Sequence, residues 1–161
     1  MTVSPEHLAA GVKAPAFTAL AHTGEAIRLA DLKGKYVVLY FYPKDNTPGC
    51  TVEAREFRDA AEDFAAAGAV VLGVSPDPVE SHCKFVERFG LNFPLLADEN
   101  HEVAEKYGVW VEKNMYGRKY MGVQRATFLI DTKGAIVEIW PKVRPQGHAD
   151  QVLKVLEAAV G

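Results

Sequence analysis

Tyr36-Val37-Val38-Leu39-Tyr40-Phe41-Tyr42 is an unbroken β-branched and aromatic run bounded by Gly34 and Pro43. A short run with such flanks predicts a buried strand at the centre of a sheet. After it, Thr47-Pro48 reads as an N-cap with proline in the first helical turn, and Ala54, Phe57, Ala60, Ala61 and Phe64 recur at helical spacing up to Gly68. One helix is expected there, starting near Cys50. Ala69 to Val74 repeats the buried-strand pattern. Asp77-Pro78-Val79-Glu80 then reads as a capping box with proline at the first position of a helix that ends near Gly90. Strand, helix, strand, helix in this order predicts a parallel pair joined by a right-handed crossover.

Downstream, Asp98 to Tyr107 predicts a short helix closed by Gly108, whereas Val109 to Gly122 is polar, without a clear period, and is expected to be a loop at the rim. Ala126 to Ile130 and Ala135 to Trp140 flank Asp131-Thr132-Lys133-Gly134, a glycine-containing hairpin connection. From His148 onward, Ala149, Val152, Leu153, Leu156 and Val160 share one helical face. A βαβ unit followed by a ββα unit is the thioredoxin-like plan, an α/β fold with a central mixed sheet flanked by helices. The stretch through Lys33 is expected to be an N-terminal hairpin appended to that core.

Composition narrows the functional classes. The 161 residues, 48% hydrophobic and 24% charged, match one globular domain spanning 1–161. A net charge of -3 lacks the basic excess that a phosphate backbone requires, so nucleic acid is not an expected partner. No run is long enough to cross a bilayer, and the opening Met1-Thr2-Val3-Ser4-Pro5-Glu6 lacks the basic and apolar regions of a leader; a cytoplasmic protein is expected. Two cysteines are too few for a disulfide scaffold, so a disulfide between them would be transient and catalytic. His7, His22, His82, His101 and His148 share no metal-ligand spacing, and neither a metal nor another cofactor is expected. Lys44 and Asp45 read as a solvated turn, and Trp110 and Trp140 as packing residues.

Cys50 carries the candidate chemistry. It falls in the first turn of the expected helix, where unpaired N–H groups and the positive dipole end stabilise a thiolate, the nucleophilic form. An inert core cysteine is the alternative, but Pro48 and Gly49 before it form no apolar stretch. The segment from Tyr42 to Thr51, with a proline at 43, a threonine at 47 and the cysteine at 50, resembles the active-site loop of the peroxiredoxins. The surroundings, from Val12-Lys13-Ala14-Pro15-Ala16-Phe17 through Leu72-Gly73-Val74-Ser75 to Arg125-Ala126-Thr127-Phe128-Leu129-Ile130-Asp131, resemble the bacterioferritin comigratory protein or peroxiredoxin Q subfamily over nearly the whole chain.

The resemblance implies a peroxidase in which Cys50 attacks hydrogen peroxide or an organic hydroperoxide. Pro43 would pack over the cysteine, Thr47 would hydrogen-bond the sulfur and the peroxide, and Arg125 would supply positive charge. The N–H groups of Gly49 and Cys50 would add donors, and Tyr42 could border the pocket. Strand alternation sets Arg125 on the same face as Thr127 and Leu129. The subfamily's common resolving position, five residues after the peroxidatic cysteine, is Arg55 here. Either one cysteine works alone, or Cys83 resolves Cys50 through a disulfide reduced by thioredoxin or a similar dithiol. Cys83 also shares a helical face with Val79, Val86 and Gly90, as a core residue would. A monomer is expected. Competing readings are a thioredoxin-type reductase, which lacks its second cysteine here, a glutathione-peroxidase-like enzyme, and a non-enzymatic thioredoxin-like binding module or holdase.

Overall fold

A computed structural model describes residues 8–161, so Met1 to His7, including the opening segment read for a leader, lie outside the described residues. The elements run β1 (Thr18–Ala21), β2 (Ala26–Arg28), β3 (Tyr36–Phe41), α1 (Pro48–Asp59), α2 (Ala61–Ala66), β4 (Ala69–Ser75) and α3 (Val79–Phe89). There follow β5 (Leu95–Ala97), α4 (Glu102–Lys106), β6 (Trp110–Met115), β7 (Arg118–Val123), β8 (Ala126–Ile130), β9 (Ile136–Trp140) and α5 (His148–Val160). Seven strands form one sheet in the order β2-β1-β5-β4-β3-β8-β9. β3 pairs in parallel with β4 and antiparallel with β8, which explains its continuous apolar run: both faces are covered.

One face of the sheet packs Tyr40, Tyr42 and Leu129 against Ala54 and Phe57 of α1, Phe85 of α3 and Val152 of α5. The other packs Leu39, Phe41 and Phe128 against Val103 and Tyr107, in and just after α4. Two consecutive crossovers, β3 to β4 through α1 and β4 to β5 through α3, step the same way along the sheet. Right-handedness therefore puts both helices on one face. That shared face carries both cysteine-bearing helices.

Several expectations change. The helix foreseen from Thr47 to Gly68 breaks at Ala60, whose φ of -95° and ψ of 4° separate α1 from α2. The expected N-terminal hairpin forms, β1 pairing with β2, and it is continuous with the core: β1 also pairs with β5, Leu20 opposite Ala97, and extends the main sheet. β5 itself, three residues between Pro94 and Asp98, is too short to announce itself by period. The supposed rim loop is the β6–β7 hairpin, turned by Tyr116 and Gly117, both at positive φ. Most of its residues are exposed on both faces, so no apolar alternation was required of it.

The capping box at Asp77 does not form. Pro78 is the N-cap of α3, and the Asp77 carboxylate instead accepts the Asp45 N–H at 2.8 Å and the Ser75 hydroxyl at 2.7 Å. Gly90 does close the helix in the left-handed region. No helix among the described residues is long and apolar enough to cross a membrane.

Gly73 lies opposite Tyr40 in the parallel pair, and a Cβ there would meet Leu95 Cδ2 at 2.8 Å and Tyr40 Cζ at 2.9 Å. The Tyr40 ring cannot retreat, because it is stacked on Phe57 at 4.7 Å. Gly73→Ala is expected to cost about 1–3 kcal/mol by overpacking. Urea unfolding should show a lower midpoint at unchanged slope.

Candidate active site

The turn from β3 to α1 brings Cys50 to the third residue of α1, with Thr47 as the N-cap and Pro48 at the first position. The Thr51 N–H donates to the Thr47 carbonyl, which starts the helical ladder. Among the described residues no acceptor takes the N–H of Gly49 or Cys50, so these donors and the helix dipole remain available to an anion. Cys50 is buried and is a free thiol, as is Cys83.

Arg125 reaches the site from the residue before β8. Its Nη2 donates to Cys50 Sγ at 3.2 Å and its Nη1 donates to Glu53 Oε1 at 2.6 Å. The guanidinium is thus forked between a sulfur and a carboxylate on adjacent turns of one helix. Its backbone is fixed too, the Val143 N–H donating to the Arg125 carbonyl at 3.1 Å. Gly49 permits the approach: a Cβ there would lie 3.3 Å from Arg125 Nη2 and 3.3 Å from Pro145 Cγ. Strand alternation agrees, since Thr127 and Leu129 face the same helical layer, with the Thr127 hydroxyl 2.7 Å from His148 Nε2 of α5. The start of α5 is tied to α1 by the Gly147 N–H, which donates to the Glu56 carboxylate.

Glu53 was not singled out from sequence. Its signal is spacing: three residues after Cys50 it shares the cysteine's helical face, and it stands among Ala54 and Phe57 on the buried side. It is 0% exposed, and its Oε2 has no partner among the described residues. Burial pushes the Glu53 carboxyl up to about 7, against the opposing pull of Arg125. Burial works to lower Arg125, but Glu53 and Cys50 outweigh it and raise the guanidinium further.

Other expected site residues are placed differently. The Thr47 hydroxyl donates to the Lys44 carbonyl at 2.9 Å rather than to the cysteine sulfur, because the turn leaves that carbonyl unpaired one step away. Tyr42 is fully buried and its hydroxyl donates to Asp45 Oδ1 at 2.5 Å, which gives it an anchoring use inside the core instead of a pocket-lining one. Asp45 is no solvated turn residue: it is buried and accepts from Ser81 and faces His82 as well. Pro43 is half-buried at the end of β3. Cys83 is exposed on α3, whose fully inward positions are His82 and Phe85; Val86 is only partly buried against that layer, and the cysteine lies outside it. The Cys83 thiol donates to the His22 carbonyl at 3.2 Å. His22 follows β1 and Arg125 precedes β8, strands four spacings apart in the sheet, about 19 Å.

Because Glu53 takes up its proton more readily folded than unfolded, it favours folding most below the ordinary carboxylate range. That contribution fades as pH rises through about 7. Reduced wild type should therefore lose roughly 3 kcal/mol relative to Glu53→Gln between pH about 4.5 and just above 7. Urea unfolding at stepped pH checks this; a constant difference across the window would detach Glu53 from the proton linkage.

The AhpC/TSA family pattern matches residues 10–139. The chain is 52% identical over 143 residues to a putative peroxiredoxin bcp of Coxiella burnetii, covering 89% of this chain and 95% of that one. It is 50% identical over 147 residues to peroxiredoxin Bcp of Bacillus subtilis, covering 91% and 94%. A solved structure of the Xanthomonas campestris bacterioferritin comigratory protein, studied for alkyl peroxide reduction, superposes with a TM-score of 0.89 at 39% identity, covering 95% and 100%. The thioredoxin-like architecture, the cysteine at a helix N-terminus and these similarities agree: the chain belongs to the AhpC/TSA family, as a Bcp-type peroxiredoxin, a thiol-dependent peroxidase.

Proposed function

We propose that Cys50 is the peroxidatic thiol, acting on hydrogen peroxide and organic hydroperoxides, and that Cys83 resolves it. The observation that carries the first part is the contact of Arg125 Nη2 with Cys50 Sγ at 3.2 Å, made at the open N-terminus of α1. The thiolate attacks one peroxide oxygen, the O–O bond breaks, and the products are a sulfenate, which takes a proton from water to become the sulfenic acid, and an alcohol or water. The proton on the attacked oxygen passes to the leaving oxygen. Negative charge moves from sulfur to that leaving oxygen, so donors fixed in advance around both stabilise the transition state more than the ground state.

Each neighbour has a use in that step. Arg125 supplies charge at the sulfur, and the buried Glu53 holds its fork in place. The N–H groups of Gly49 and Cys50, without an acceptor among the described residues, are donors for the bound peroxide. Thr47 has committed its hydroxyl proton to the Lys44 carbonyl, so its oxygen is an acceptor for a peroxide O–H and orients the substrate. Pro43, at the loop entrance, shields the sulfur from water. Alkyl peroxide reduction by the Xanthomonas relative supports an organic hydroperoxide as one substrate.

Cys83 then attacks the Cys50 sulfur, the S–O bond breaks, and water leaves as the disulfide forms. Exposure of Cys83 supports this role, since a core cysteine would be unavailable. A thioredoxin or similar dithiol reduces the disulfide. The chain works as a single-domain cytoplasmic monomer.

Cys50→Ser should abolish peroxidase turnover with the fold retained, because the hydroxyl is a far poorer nucleophile at neutral pH. Arg125→Ala and Thr47→Val should each slow peroxide attack by about 10²-fold to 10³-fold, as removal of one oxyanion donor or orienting group does. Stopped-flow measurement of a single turnover tests both; changes below about threefold at both sites would mean the wrong residues are named. Cys83→Ser should reduce its first peroxide at the normal rate, then stall with thioredoxin and over-oxidise. Wild-type turnover by that variant, with no intramolecular disulfide by mass spectrometry, would leave Cys50 working alone.

A further inference from the structure

The most extensive polar network outside the sulfur site joins the loop before Cys50 to the helix that carries Cys83. The buried Asp45 carboxylate accepts the Tyr42 hydroxyl at 2.5 Å and the Ser81 hydroxyl at 2.7 Å, and lies 2.7 Å from His82 Nδ1. His82 is fully buried, and its Nε2 lies 2.9 Å from the Leu96 carbonyl of β5. A carbonyl only accepts, so Nε2 carries a proton, and a second proton is shared between Nδ1 and the Asp45 carboxylate. The Asp45 N–H donates to Asp77, which also holds Ser75 at the end of β4. These donors and acceptors satisfy one another, so the network is complete as it stands.

Its position ties it to the redox cycle. Asp45 lies five residues before Cys50, and His82 immediately precedes Cys83. In the reduced fold the two sulfurs are anchored apart, Cys50 to Arg125 and Cys83 to the His22 carbonyl. A disulfide requires Cα atoms roughly 4.4–6.8 Å apart, so the first turns of α1 and α3 must leave their places. His82 lies in the first turn of α3 and Asp45 in the loop that leads into α1, so undocking α3 parts Asp45 from His82 and leaves a buried charge without its partner. Asp45 and Ser81 line a cleft of about 460 Å³ between the loop and α3, so water stands ready to take up their bonds once the pair opens.

We propose that the Asp45–His82 pair is a latch that holds the Cys50 loop and α3 in the peroxide-reactive arrangement, and that its opening limits the rate at which Cys50 sulfenic acid reaches Cys83. The latch positions and takes no part in bond making. It sets a competition: either Cys83 attacks the sulfenic sulfur and releases water, or a second peroxide oxidises the still-folded sulfenate to a sulfinate and is itself reduced to alcohol or water. This inference rests on Cys83 being the resolving cysteine.

The test is a quenched-flow series on reduced protein with graded hydrogen peroxide, counting disulfide and sulfinate by mass spectrometry, for wild type, Asp45→Asn and His82→Gln. Loss of one charged hydrogen bond should speed disulfide formation by about tenfold or more and raise the peroxide level for half over-oxidation by the same factor. Ile136→Val, which weakens the core on the other face of the sheet, is the control and should stay within about twofold of wild type. Wild-type disulfide rates in the folded latch variants would overturn the latch. Absence of any Cys50–Cys83 disulfide in wild type would instead overturn the resolving reading, and the latch with it. Should both variants fail to fold, hydrogen exchange on reduced wild type decides. Segments 42–50 and 78–84 should open together, and independent opening rejects the latch.

Discussion

The site depends on a guanidinium that cannot move. Arg125 is forked between the Cys50 sulfur at 3.2 Å and the Glu53 carboxylate at 2.6 Å, and both partners sit one turn apart on α1. Glu53 is wholly buried, which would be costly for a carboxylate alone and is tolerable only beside a cation. The pair therefore constrains the neighbourhood: glycine at 49, Pro145 against it, and the Val143 backbone on Arg125 all follow from giving that side chain room and a fixed base. In the proposed reaction, preorganisation of this kind would let a charge created during peroxide cleavage meet donors that need no rearrangement.

The sheet supplies the second constraint. Two right-handed crossovers in the same direction put α1 and α3 on one face, so the chain's two cysteines share a layer without touching. Cys50 is buried, while Cys83 is exposed. In the proposed cycle, stability of the reduced form and progress toward the disulfide therefore oppose each other: the contacts proposed to make Cys50 reactive also hold it away from Cys83.

Beside these two arrangements stands a second polar cluster, in a layer that also buries Glu53, Thr127 and His148. Asp45 and His82 are buried beside Tyr42 and Phe85, yet Asp45 and the half-buried Ser81 border a cleft. Such a network holds firmly when complete and loses much when one bond goes, which suits a segment that, in the proposed cycle, is either docked or undocked.

The amino-acid sequence by itself determined the strands β3, β4, β8 and β9, the helices α3 and α5, and Cys50 at a helix start. In each of these, burial imposes a period or an uninterrupted run on adjacent residues. The active-site loop was legible for a related reason, since proline, threonine, glycine and cysteine lie within eight consecutive positions. Tertiary structure decided the rest. The β6–β7 hairpin buries too little to carry a pattern, and β5 is too short to show one. Asp45 looked solvated and His82 unremarkable because their meeting spans 37 positions; Arg125 meets Glu53 across 72 and Cys50 across 75. A local pattern records which side of an element is buried. It does not record which polar group waits on the element opposite, because that partnership exists only once the sheet order and the helix packing have brought distant segments together.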